Sequence, residues 1–392
     1  MRVLHIGKYF PPHTGGMETF LRDLMQEQQA QGFEVAALVH ASKRTFRTHR
    51  ELYIEGQSKL DITRVACWCT LYFVPFSPSF FWALKKSIRR FNPDVIHLHM
   101  PNASAFWTLA TSDARKIPWI IHWQSDVVTS RHKRSLRLFY PFYRLPEQSL
   151  LKKAAHVIAT SPPYLATSEP LAQHAHKCTV VPLARRECES IDSKSVKRAD
   201  DEINPLSPLK VLTVCRLTYY KGLNYLLEAI ANTPEITLTL IGDGEELKSI
   251  RNLAQRLQLG DRFIHIPHCS DQELRRHYQS HDVFCLPSIE RTEAFGVVLL
   301  EAMSAGLPCL VTDVPGSGMS WVVDTPDAGY LTSYADAKAL SHTLQGINRD
   351  RDKLRAVAVR AKVRYEEHLS MKHCHESIKA IYEHAVEKSA PN

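Results

Sequence analysis

Two glutamates and two cations carry the densest chemistry in this chain. Glu293 and Glu301 bracket seven residues in Glu293-Ala-Phe-Gly-Val-Val-Leu-Leu-Glu301, where a strand ending near Ser288 passes through a polar loop and Gly296 into an apolar helix. A glycine-opened helix N-terminus offers free N–H groups and a positive field to an anion. Carboxylates on either side of it can accept hydrogen bonds from hydroxyls. A sugar nucleotide needs both: a seat for its diphosphate and acceptors for its ribose and hexose. Taken alone, the pair fits a surface loop leading into a core helix as well. Arg216 and Lys221 lie five residues apart in Cys-Arg-Leu-Thr-Tyr-Tyr-Lys-Gly. They can converge on one diphosphate, Arg as a planar fork and Lys as a movable point charge; they also read as two surface cations.

Three further constellations close strands. Pro11-Pro-His-Thr-Gly-Gly-Met-Glu18 sets Gly15 and Gly16 between a strand and a helix, where the backbone can approach a ligand or simply turn. It lacks the spaced glycines of a dinucleotide fingerprint, which argues against NAD. His122 opens His-Trp-Gln-Ser-Asp126, although 20 histidines in the chain make one at a strand end a weak signal. Gly242 and Gly244 form the turn Ile241-Gly-Asp-Gly244. Asp350-Arg-Asp352 has the Asp-x-Asp form of metal-dependent transferases but falls between helices, away from any strand end. His373-Cys-His375 and Cys67-Trp-Cys69 lack partners at zinc-ligand spacing, so no metal is expected.

These residues need a scaffold that brings strand ends together. Strand patterns fall at 2–8, 34–40, 62–68, 94–99, 118–123, 156–161 and 178–183, with helical patterns at 17–31, 79–91, 103–114 and 134–153. Residues 185–208 are polar and nearly free of aromatics, and read as a linker. A second set follows, with strands at 210–217, 236–242, 263–267, 283–287 and 308–313 and helices at 223–232, 245–257, 271–280 and 297–305. The class is α/β: two doubly wound halves, 1–190 and 205–370, expected to face a cleft, with a C-terminal helix 371–390 packing back on the first. Ligands in such sheets bind at the carboxyl ends of strands.

With 44% hydrophobic and 23% charged residues the chain has a globular composition, and no stretch of about 18 apolar residues suggests a membrane span. No signal-peptide pattern opens it. Its nine cysteines show no Cys-x-x-Cys, and Cys215, Cys285 and Cys309 sit in apolar strand patterns. A reduced, cytoplasmic protein is expected. The net charge of +8 is concentrated: residues 82–153 hold 13 Lys/Arg against 4 Asp/Glu, interleaved with Trp82, Phe91, Phe139, Tyr140, Phe142 and Tyr143. Just before and into this stretch, 71–84 (LYFVPFSPSFFWAL) is apolar and leads to Lys85, Lys86, Arg89 and Arg90. Basic residues among aromatics suit an anionic membrane surface or nucleic acid; the membrane surface is expected as a partner and nucleic acid is not. Buried core and a solvated helix face are the competing explanations.

Together these motifs, with His97-Leu-His-Met-Pro-Asn102 and Ser161, resemble the family-4 glycosyltransferases, retaining enzymes of the GT-B fold, and among them bacterial polysaccharide and lipopolysaccharide mannosyltransferases. The Glu293/Glu301 pair is similar to the family's E-x7-E signature. The resemblance implies that Arg216 and Lys221 hold the donor diphosphate and stabilise the leaving group, that Glu301 binds ribose, and that Glu293 contacts the sugar. It implies donor contacts at Phe295, Gly296, Val297, Gly15, Gly16 and the Gly242–Gly244 turn, and places His122 near the anomeric carbon. It further implies metal-independent hexosyl transfer, with GDP-mannose favoured over UDP-hexoses, to a lipid-linked glycan on the inner face of the cytoplasmic membrane. A GT-B epimerase or hydrolase, or a silent sugar- or lipid-binding scaffold, are the alternatives. The chain departs from the family at Val181-Pro-Leu-Ala-Arg, where relatives often carry Pro-Asn-Gly.

Overall fold

Continuous aliphatic runs bounded by glycine and polar turns form parallel strands, because helices on both faces bury both sides of each strand. In the computed structural model, which describes residues 1–392 apart from 14, 72–73, 128–133, 187–206, 325 and 390–392, these runs build two sheets. The chain divides into two compact units, Met1–Arg186 with Met371–Asn392, and Glu187–Ser370.

The strands of the first unit are β1 (Arg2–Ile6), β2 (Glu34–His40), β3 (His49–Glu55), β4 (Ser58–Val65), β5 (Cys69–Leu71), β6 (Val74–Phe76), β7 (Val95–Met100), β8 (Trp119–Trp123), β9 (His156–Ala159) and β10 (Cys178–Val180). Eight of them form one sheet in the order β10-β9-β8-β7-β1-β2-β4-β3, while β5 and β6 form a separate antiparallel hairpin. Every residue of β7 and β8 is buried. The helices α1 (Gly16–Ala30), α2 (Phe80–Phe91), α3 (Trp107–Ala110) and α4 (Arg134–Lys153) flank this sheet's connections. The C-terminal helix Met371–Ser389 packs against α1, its Tyr382 fully buried.

The second unit holds β11 (Leu209–Val214), β12 (Ile236–Ile241), β13 (Phe263–Ile266), β14 (Val283–Leu286), β15 (Cys309–Thr312) and β16 (Gly329–Thr332), in the order β13-β12-β11-β14-β15-β16. All its pairings are parallel. Val211, Leu238 and Val283 of the strands pack with Leu226 and Ile230 of the helix between β11 and β12 into one core. The chain leaves β11 toward β12 on one side and reaches β14 on the other, so β11 and β14 flank the switch point at which such sheets bind ligands.

Several expectations need correction. The strand expected at 62–68 is Ser58–Val65, and β3 pairs antiparallel beyond it. The helix expected over 103–114 is broken into 3-10 turns at Ala103–Phe106 and Ala114–Lys116 around the four-residue α3. The 71–84 run, for which buried core was the competing explanation, is only partly core: Phe80 and Leu84 are buried, whereas Phe76 and Trp82 are 50% and 66% exposed. Most of the expected linker lies outside the described residues. Its first residues, Arg185 and Arg186, bond the buried Asp23 of α1, which also pairs with Arg22.

Candidate active site

In the second unit, Arg216 follows β11 directly and Lys221 closes the 3-10 turn Tyr219–Lys221 that leads into the helix Leu223–Ala231. Gly222 makes the junction at φ 64°, a conformation that L side chains rarely adopt. Two bonds clip this loop to the one after β14: Ile289 N–H donates to the Tyr220 carbonyl at 2.8 Å, and the Tyr219 hydroxyl donates to Glu290. The ammonium of Lys221, itself buried, donates to the Glu293 carboxylate, which the Ser288 hydroxyl also reaches at 3.4 Å. Burial works against the Lys221 charge, but Glu293, helped by Cys215 and Tyr220, more than offsets it and holds its pKa above the usual lysine value. Arg216 is exposed and has no acidic partner among the described residues, so its guanidinium fork is available to an anion.

The backbone at Glu293 is fixed from behind, its carbonyl accepting from the Ser317 hydroxyl at 2.6 Å. Gly296 then opens the helix Val297–Ser304 at φ 78°, ψ 59°, and no side chain caps that terminus. The N–H groups of its first turn are therefore unclaimed by a cap. Phe295 is 2% exposed, which leaves only its backbone to offer a ligand. Glu301, one turn into the helix, accepts from the Tyr278 hydroxyl at 2.9 Å. Tyr278, on another helix, carried no sequence signal for this role.

The glycines of the 242–244 turn serve the cations. A Cβ at Gly244 would stand 2.7 and 2.8 Å from the Leu217 backbone N and C, and one at Gly242 would run into the Cys215 carbonyl. Leu217 N–H donates to the Asp243 carbonyl at 3.0 Å. The turn thus lies flush against the 215–217 segment and positions Arg216.

In the first unit, Gly16 starts α1 and Gly15 precedes it in extended backbone. The space beside Gly15 is taken by the chain's own Glu18 carboxylate, whose Cδ would lie 3.2 Å from an added Cβ. The His122 ring is fully buried, 4.8 Å from Phe20 and 5.5 Å from His97 between centroids. Neither of its ring nitrogens has a hydrogen-bond partner among the described residues. Burial, with His5 adding a smaller electrostatic penalty, pushes its pKa down to about 3.

Strand register explains it, since His5 pairs with His97 and His99 with His122, placing four rings on one face of the sheet. Three of them belong to a buried hydrogen-bond chain. Gln124 Nε2 donates to His99 Nδ1 (3.2 Å), His99 Nε2 to His5 Nδ1 (3.1 Å), His5 Nε2 to Gln28 Oε1 (2.8 Å), Gln28 Nε2 to the Tyr382 hydroxyl (3.1 Å), and that hydroxyl to His97 Nδ1. One set of neutral tautomers satisfies every link. His5, His97 and His99 could by distance share a metal ion, but every ring nitrogen of the three except the buried His97 Nε2 already serves this chain, and no carboxylate is part of the group. Asp350 is likewise occupied, capping Lys353 N–H at 2.9 Å, and Asp352 pairs with Arg355.

Comparison with known proteins gives this geometry a family. Residues 14–184 match the model "Glycosyltransferase Family 4", and residues 196–364 match "Glycosyl transferases group 1". Among similar curated proteins, O-antigen chain mannosyltransferase C of Escherichia coli is 25% identical, over 100% of both chains. D-rhamnosyltransferase WbpZ of Pseudomonas aeruginosa is 24% identical, over 94% of this chain and 92% of its own. Among solved structures, sucrose-phosphate synthase from Thermosynechococcus elongatus superposes with a TM-score of 0.79 at 21% identity, covering 99% of each chain. HepE of Anabaena, in complex with UDP and glucose, gives 0.71 at 18% identity, covering 98% of this chain and 100% of its own. No helix among the described residues is long and apolar enough to cross a membrane. The chain is a family-4-like glycosyltransferase of the GT-B fold, related to bacterial enzymes of lipopolysaccharide and polysaccharide synthesis.

Proposed function

We propose that this chain is a retaining hexosyltransferase that moves mannose from GDP-mannose to a lipid-linked glycan, without a metal ion, on the inner face of the cytoplasmic membrane. The observation that carries the reading is the set at the ends of β11 and β14: an unclaimed Arg216, a charged Lys221 anchored by Glu293, and an uncapped glycine-opened helix. As the bond from C1 to the diphosphate breaks, negative charge gathers on the leaving oxygens. Arg216, Lys221 and the first N–H groups of the Val297–Ser304 helix oppose it. Glu293 holds the ammonium in place through one oxygen and accepts a sugar hydroxyl through the other; Tyr278 orients Glu301 toward ribose. For retention, the acceptor hydroxyl attacks on the face the diphosphate leaves and gives its proton to a departing phosphate oxygen. The choice of mannose rests on the names of relatives, including the phosphatidyl-myo-inositol mannosyltransferase of Mycolicibacterium smegmatis, 26% identical over 91% of this chain.

The test is turnover of GDP-mannose and UDP-hexoses with and without a polyprenyl-diphosphate-linked sugar, in a chelator, with the anomeric coupling of the product read by NMR. An α-linked mannoside formed only with acceptor is expected. Nucleotide release or sugar isomerisation that ignores the acceptor would instead establish a hydrolase or epimerase, and binding without turnover a scaffold. Cosedimentation with anionic vesicles at low salt tests the membrane location, and failure to sediment removes it.

A further inference from the structure

We infer that an apolar groove in the first unit, between β6 and the 103–110 segment, holds the hydrocarbon chain of the acceptor. The inference rests on the glycosyltransferase reading for its substrate and on separate residues for its evidence. The groove encloses about 540 Å³ and is lined chiefly by Val74, Pro75, Phe76, Pro78, Phe106 and Trp107, with no charged side chain in its wall. Phe76 and Trp107 keep 50% and 37% of their surface exposed. Open apolar surface of this kind marks a binding site.

Its two ends differ in chemistry. Ala103 and Ser104, which line it, follow the carboxyl end of β7 through Asn102. The Asn102 Oδ1 is committed to Ser104 N–H at 3.1 Å, whereas its Nδ2 is buried with no acceptor. That leaves a fixed, unpartnered N–H donor just beneath the surface at the strand end, two residues before the Ser104 that lines the groove. On the outer side Phe81 of α2 packs 5.8 Å from Trp107. Lys85 and Lys86 lie one helical turn beyond Phe81 and Trp82, on the same faces, with no acidic partner among the described residues. An apolar slot beside a free amide donor and unpaired ammonium groups fits an anionic amphiphile with one long chain. A bilayer surface, being flat on this scale, does not fill a concave groove; a single chain does.

The probe is farnesyl diphosphate below its micelle concentration, with inorganic pyrophosphate as control, titrated against the full chain by tryptophan fluorescence. Ala110 is exposed on the groove wall, so Ala110→Trp fills the groove without opening the core, and Trp107→Ser removes the opposite contact; circular dichroism reports the fold of both. Saturable binding, at least tenfold tighter than pyrophosphate and weakened at least tenfold in either folded variant, is expected. Equal binding by wild type and both variants, no preference over pyrophosphate, or adsorption to anionic vesicles without binding of the monomeric prenyl chain would overturn the proposal. Donor turnover is measured separately on the wild type: its absence alongside groove-dependent prenyl binding refutes the transferase reading and leaves the groove standing.

Discussion

The Lys221–Glu293 pair separates what holds the site together from what it does. Both side chains are nearly out of solvent, at 10% and 13% exposure. Removing one partner of a buried pair strands the other charge and costs about 3–5 kcal/mol. The residual exposure here lowers the expectation to about 2–4 kcal/mol for Lys221→Met, which leaves the carboxylate with only the 3.4 Å Ser288 contact. Glu293→Gln leaves an ammonium facing a neutral amide and falls in the same range. The double variant strands no charge and recovers to within about 1 kcal/mol of wild type, since neutral replacement of a buried pair is often tolerated. Catalysis behaves differently: each single change is expected to lower kcat about 10²–10³-fold, the loss typical of removing one preorganised charge-stabilising group. The double variant stays at least as slow. The assay is urea unfolding of the ligand-free protein beside donor turnover, for all four proteins. A double variant as destabilised as the sum of the singles, or one that regains activity with stability, would refute the reasoning.

Three other outcomes follow from buried polar groups and tight turns. Glu147 is fully buried with neither oxygen bonded, and burial, with Asp126 adding to it, raises its pKa to about 8. The unfolded carboxyl ionises above its ordinary value of 4.5 while the folded one keeps its proton, so stability falls as pH rises between these values. Glu147→Gln should flatten that slope in thermal melts taken from pH 5 to 9, and an unchanged slope removes the explanation. Tyr382→Phe strands Gln28 Nε2 and His97 Nδ1 and should cost about 1–3 kcal/mol. Hydrogen exchange should then quicken first in the Met371–Ser389 helix; uniform exchange with wild type contradicts this. Gly244→Ala forces the turn away from Leu217 and should weaken donor binding through Arg216, read by calorimetry, whereas wild-type affinity would show that the turn does not position it.

Much of the scaffold could be read from the chain because doubly wound sheets write themselves as continuous apolar runs ended by glycine. Strand β3 escaped notice since an edge strand paired on one side can be polar, as His-Arg-Glu-Leu-Tyr-Ile-Glu is. The 103–114 segment has helical composition, yet the Asn102 cap and the Thr108 and Thr111 hydroxyls, bonding carbonyls three and four residues back, close separate short turns. Arg216 and Glu293 were recognisable by type and position. That Lys221 would grip Glu293, 72 residues on, depends on β11 and β14 being neighbours, which no local pattern encodes. His122's place at a strand end was visible, whereas the face it occupies, stacked with His97 and His99, was not. Asn102 and Gln124, just beyond the ends of β7 and β8, stood only as parts of longer motifs, and the hydrogen-bond pattern shows that each is pinned on one side.

The pre-steady-state rate of sugar–diphosphate cleavage in Arg216→Ala, taken at saturating donor with chelator present, bears most directly on metal-free stabilisation of the leaving group. A wild-type rate indifferent to chelation, with a drop of about 10²-fold or more in the variant while its fold is intact, is the predicted result. A variant that cleaves as fast as wild type, or a wild-type rate abolished by the chelator, would contradict it.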